Sequence, residues 1–163
     1  MKKLFITLGA FFLVIVGLGI FYQNFTNQSF TPETKKDDET YVSINGNAIR
    51  VEIVETNADK AKGLSGRKYL GEGDGMLFDL ISENSPHMFW MKDMLIPLDI
   101  IWITNDKIFQ IDANIQPPEL NTPDKELEKI VVDEKIDYVL EVNAGYTEAN
   151  DVKEGDNFQF IKN

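Results

Sequence analysis

Cysteine is absent from all 163 residues. That excludes disulfides, thiol nucleophiles, cysteine-based zinc sites and attachment as a bacterial lipoprotein. Histidine occurs once, at His87, so no histidine-rich metal site can form within one chain. Positive charge is scarce as well. Of 16 basic residues Lys2 and Lys3 belong to the extreme N-terminus, which leaves 14 against 27 acidic residues and a net charge of −13 beyond it. Such a surface repels nucleic acid, anionic headgroups and polyanionic wall polymers, and it attracts cations or basic proteins.

What is present begins with an uncharged apolar run over residues 4–22. As a helix rising about 1.5 Å per residue it spans roughly the 30 Å hydrocarbon core of a bilayer. A cleaved signal has a shorter apolar region and a small-residue cleavage site. The nearest substitute here, Gly17-Leu18-Gly19, is poor, so the pattern favours an uncleaved anchor over secretion after signal cleavage. Lys2 and Lys3 precede the run and the first charge after it is Glu33, which predicts a single-pass membrane protein with a cytoplasmic N-terminus and an extracytoplasmic domain. Residues 1–22 are thus the expected membrane anchor and residues 23–40 a polar, aperiodic tether with a reach of roughly 25 Å. The two Asn-x-Ser/Thr matches in the tether, at Asn24 and Asn27, are assigned no role.

Residues 41–163 supply one domain with enough chain to bury a core without disulfides. Two runs, 41–44 and 47–55, flank Asn45-Gly46 and predict a β-hairpin. Thr56 with Asp59 fits a capping box for a short helix over 58–62, ended by Gly63. Short apolar runs at 76–80, 88–92, 98–104 and 108–112 have the spacing of consecutive strands. The run 98–104 is apolar on both faces, as in a central strand, except at Asp99, which needs a partner. Pro117, Pro118 and Pro123 mark a long loop at 116–124. Strands at 129–132, 138–143 and 158–161 and a short helix at 144–150 complete the reading. The fold class is α+β, mostly β: a single barrel-like domain of about eight or nine short strands with two short helices, after an N-terminal transmembrane helix.

Between Gly75 and Ile100 the chain packs together Gly75-Met76-Leu77-Phe78, Phe89-Trp90-Met91-Lys92 and Ile96-Pro97-Leu98-Asp99-Ile100. Joined with Gly63-Leu64-Ser65-Gly66-Arg67 and the run from Tyr138 to Gly145, this ordered set resembles the exported proteins grouped as domain-of-unknown-function family 192, over about residues 47–161. The resemblance implies a compact β-rich domain, often exported, with no established activity. The chain departs from the family pattern at Ser65, where methionine is usual, and at Asp93-Met94, where Asn-Thr is usual. The second change adds a negative charge beside Lys92 and removes a hydroxyl.

Candidate ligand-binding residues are Trp90, Lys92, Asp99, Arg67 and His87. A turn over 93–97 would set Lys92 beside Asp99, either as a buried structural ion pair or as an anion-binding amine or general base oriented by the carboxylate. Trp90 shares a strand face with Lys92 and Met88, a surface suited to core packing or to a sugar or apolar ligand. His87 could act as a base with Ser85 or Asp99, although no nucleophile elbow, oxyanion signature or second histidine accompanies it. Arg67 suits a bidentate clamp on a carboxylate of the fold or of a ligand. Gly71-Glu72-Gly73-Asp74-Gly75 lacks the acidic spacing of an EF-hand and reads as a solvated turn.

No metal or cofactor is expected, and no nucleic-acid partner. Three functions remain: a small-ligand binding or envelope accessory module, an acid/base enzyme acting on an envelope metabolite through Lys92 and Asp99, and a structural subunit of a membrane complex.

Overall fold

A computed structural model describes residues 39–161. The anchor at 1–22 and nearly all of the tether at 23–40 lie outside the described residues. Among the described residues no helix is long and apolar enough to cross a membrane.

The N-terminal hairpin forms as its sequence dictates. β1 (Thr40–Ile44) and β2 (Asn47–Val54) pair antiparallel around Asn45-Gly46. Both turn residues take positive φ, 52° and 84°, which Asn and Gly tolerate and which matches the twist of the flanking strands. Thr56 then caps α1 (Asn57–Lys62), its hydroxyl oxygen accepting from the Asp59 amide. The helix ends at Gly63, whose φ is 47°. The crossover over residues 55–73, which contains α1, returns the chain so that β3 (Asp74–Asp79) lies parallel to β2.

Seven strands form one sheet in the order β6-β5-β8-β3-β2-β1-β9. β5 (Leu98–Thr104) and β8 (Tyr138–Asn143), both interior strands, are paired antiparallel. β5 is buried from Leu98 through Ile103, in line with the two-sided apolar pattern. β6 (Lys107–Ile115) forms one edge and β9 (Phe158–Ile161) the other. Where the sequence suggested a barrel, the sheet curls only partway round. A single bridge between Lys107 and Asn157 links its two edges at one end.

The spacing of the apolar runs predicted consecutive strands, and here the structure differs. β4 (His87–Trp90) pairs with neither β3 nor β5. It forms a separate two-stranded ribbon with β7 (Lys129–Val132), which arrives after the proline-rich loop and a 3-10 turn at Asp124–Glu126. Four residues of β4 are too few to report a face by alternation, so pairing order was not legible locally. α2 (Tyr146–Ala149) precedes β9.

The sheet buries both faces. Leu77, Ile101, Leu140, Val142 and Phe158 pack within the curl. Met76, Phe78, Ile100, Trp102 and Val139 face the ribbon instead. Phe89 anchors the ribbon there, with its ring edge-to-face against Phe78 at 5.0 Å and Trp102 at 5.3 Å.

Candidate functional site

The ribbon covers only part of that face. Between β4, the loop leading into it, α1 and the sheet lies a cleft of about 250 Å³. Phe78, Leu64, Leu80 and Met94 supply apolar lining, and His87, Phe89 and Trp90 line it from β4. Two motifs that are distant in sequence meet at its rim. The Ser65 hydroxyl donates to the Lys92 carbonyl at 2.8 Å, and the Gly66 amide donates to the Asp93 carbonyl at 2.8 Å. Asp93 holds a φ of 55°, a left-handed conformation that a short polar side chain accepts. Ser65 therefore has a defined structural use.

Glu141 belongs to this cleft. On β8 it stands opposite Ile100 of β5 and Met76 of β3, both on the ribbon side of the sheet. It is 6% exposed, and its Oε2 is buried without a hydrogen-bond partner. Burial alone pushes its carboxyl up to about 8, because withdrawal from water penalises the charged form. His87 is 4% exposed and its Nε2 is likewise buried and unpartnered in the same cleft.

The other sequence candidates separate. Lys92 and Asp99 do not pair. The Lys92 ammonium donates to Asp124 at 2.5 Å and lies 5.5 Å from the centre of the Trp90 ring. Asp124 holds the lysine above its ordinary range, the opposite of what a general base at neutral pH requires. Asp99 is fully buried and accepts four hydrogen bonds, from the amides of Asn114 (2.8 Å), Gly145 (3.1 Å) and Thr147 (2.9 Å) and from the Thr147 hydroxyl (2.6 Å). The β5–β6 register slips between Leu98 and Ile100, which frees the Asn114 amide for this bond. Asp99 is opposite Val142 and so faces the curl, away from the cleft.

Arg67 forms a bidentate pair with Glu52, at 2.7 and 2.5 Å, away from the cleft. The guanidinium lowers the Glu52 carboxyl, and Glu52 raises Arg67. Asp74, in the glycine-rich turn, is taken by Arg50 at 2.8 and 2.9 Å. Among the described residues no three His, Asp or Glu side chains converge as a metal site.

The signal for Glu141 was present in Tyr138-Val139-Leu140-Glu141-Val142-Asn143, a lone carboxylate in a strand apolar on both sides. The same pattern singled out Asp99. Which of two such carboxylates is satisfied depends on contacts 15 to 48 residues away and cannot be read locally.

Residues 40–160 match the family DUF192, described as "Uncharacterized ACR, COG1430". The chain belongs to this family. Two crystal structures resemble the DUF192 fold described here. A protein of unknown function from Novosphingobium aromaticivorans DSM 12444 is 31% identical, with a TM-score of 0.64 over 73% of this chain and 83% of that one. A Sinorhizobium meliloti 1021 protein, described as a candidate transcription regulator, is 30% identical, with a TM-score of 0.65 over 75% of this chain and 93% of that one. No curated protein matches the sequence.

Proposed function

We propose that this DUF192 domain is a small-ligand binding module, held on the extracytoplasmic side of a membrane by residues 4–22. The observation that carries the binding half is Glu141: a carboxyl at a cleft in the core, with no protein group to satisfy its Oε2. Leaving a buried polar atom unpaired costs stability, and an aromatic-walled cleft with a few polar groups is the ordinary form of a small-molecule site. The anchoring half is supported by the length of the apolar run and the placement of Lys2 and Lys3. The acidic balance of the chain argues against a nucleic-acid partner.

Lysine acid/base catalysis is the weaker reading, because Lys92 is raised by Asp124 and Asp99 is occupied on the other face. The test is a fragment screen on the full chain, followed through the indole N–H resonances of Trp90 and Trp102. Ligands of the cleft shift Trp90, which lines it, more than Trp102, whose N–H is held by Asp112 at 2.6 Å. A screen in which no fragment perturbs Trp90 overturns the reading.

A further inference from the structure

Building on that reading of the cleft, we infer that the ligand is an organic cation, an ammonium group on a compact apolar or aromatic body, whose N–H donors meet Glu141 and His87. The cleft holds two buried unpartnered side-chain atoms, Glu141 Oε2 and His87 Nε2. A carboxylate oxygen is an acceptor, and Nε2 is one too in the imidazole tautomer that carries its N–H on Nδ1, so a group that completes both is a multiple donor. A primary ammonium offers three N–H bonds and the one charge that repays the desolvation of a carboxylate.

The titratable groups facing the cleft leave this role open. They are Lys60 and Lys62 from α1, Glu83 from the loop before β4, His87 from β4 and Lys92 beyond it. Lys60 is paired with Glu83 and Lys92 with Asp124, and Lys62 forms no ion pair among the described residues, so none of the three is bonded to Glu141 Oε2. The rings of Phe78, Phe89 and Trp90 suit a cation bearing an apolar body, and the acidic chain raises the local concentration of cations.

Binding an ammonium requires Glu141 to ionise. Below a carboxyl value of about 8, each bound cation therefore expels one proton to solvent. The affinity of the full chain for benzylamine should rise about tenfold per pH unit between about pH 5.5 and 7.5. Benzyl alcohol and benzoate, with the same ring, should bind at least about tenfold more weakly at the upper end. Glu141→Gln should abolish the slope, whereas His87→Asn weakens binding and keeps it.

The readout is the Trp90 indole resonance titrated with each compound. Preference for benzoate or benzyl alcohol, or benzylamine binding that Glu141→Gln leaves unaltered, overturns the cation while the cleft stands as a binding site. So does a slope that persists in Glu141→Gln and vanishes in His87→Asn. The wild-type slope tests the inference even if the variants fold poorly. Silence of Trp90 toward all three compounds, and toward the wider fragment set, rejects the cleft itself.

Discussion

Asp99 and Glu141 are buried carboxyls on adjacent paired strands that face opposite sides of the sheet, since Asp99 stands opposite Val142 and Glu141 opposite Ile100. The first accepts four hydrogen bonds and the second leaves an oxygen with none. Two identical functional groups a few ångströms apart in register thus have opposite energetic signs.

Asp99→Ala removes the acceptor for three backbone amides and a hydroxyl, freeing α2 and the β5–β6 bulge together. With about 1–3 kcal/mol for each buried donor left unpaired and partial relaxation, the expected loss is about 3–5 kcal/mol, measured by urea denaturation. A loss below about 1 kcal/mol would contradict the assigned role.

Glu141 acts in the reverse direction. Its carboxyl is raised in the folded state to about 8 from 4.5, so the native chain holds a proton that the unfolded chain has released between those values. Stability is greatest below about pH 4.5 as far as this group is concerned, falls through the interval, and levels off above about pH 8, by a total on the order of 5 kcal/mol. Glu141→Gln should remove that component and raise the midpoint at pH 8 by roughly 15–20 °C. Equal pH profiles for variant and wild type would refute it.

Lys92→Ala deletes a solvent-facing pair with Asp124 and should leave the thermal midpoint within about 2 °C of wild type. Combined with Asp99→Ala it should add nothing beyond the sum of the two changes, because the residues share no partner. Coupling between them would restore the ion pair that the sequence suggested.

The Arg67–Glu52 pair favours the charged form of Glu52 and lowers its carboxyl on folding. This contribution is present above the unfolded value of about 4.5 and disappears as the pH falls through the lower folded one. Solvent screening limits it to about 0.5–1 kcal/mol. Arg67→Ala should cost that much at pH 7 and almost nothing near pH 2, by denaturant titration at both.

Gly63→Ala tests the seam between α1 and the cleft. Its φ of 47° disfavours a side chain, and a Cβ would stand 3.3 Å from the Phe78 ring. The expected cost is about 1–3 kcal/mol, together with a chemical-shift change at Phe78.

Much of this architecture follows from local chemistry. Asn45-Gly46 dictated a hairpin, Thr56 a helix start, and the proline-rich loop an interruption, and each depends on only a few adjacent residues. The burial of β5 followed from its two apolar faces. Pairing was another matter. β4 meets β7 across more than 30 intervening residues, and Lys92 meets Asp124 for the same reason. The candidate site was legible as a region, through His87, Trp90 and Lys92, while its buried carboxyl lay on a strand recognised only as core.

The bridge between Lys107 and Asn157 has a bearing on how copies of this chain meet one another. Around it the Ile108 amide donates to Asp156, the Gly155 amide to Ile108 and the Phe158 amide to Asp106. An open seven-stranded sheet would offer both margins along their full length as templates for strand addition by a neighbouring molecule. Here the start of one margin has consumed the approach to the other, so the run of free backbone on which a fibril could nucleate is shortened by an intramolecular knot of three bonds.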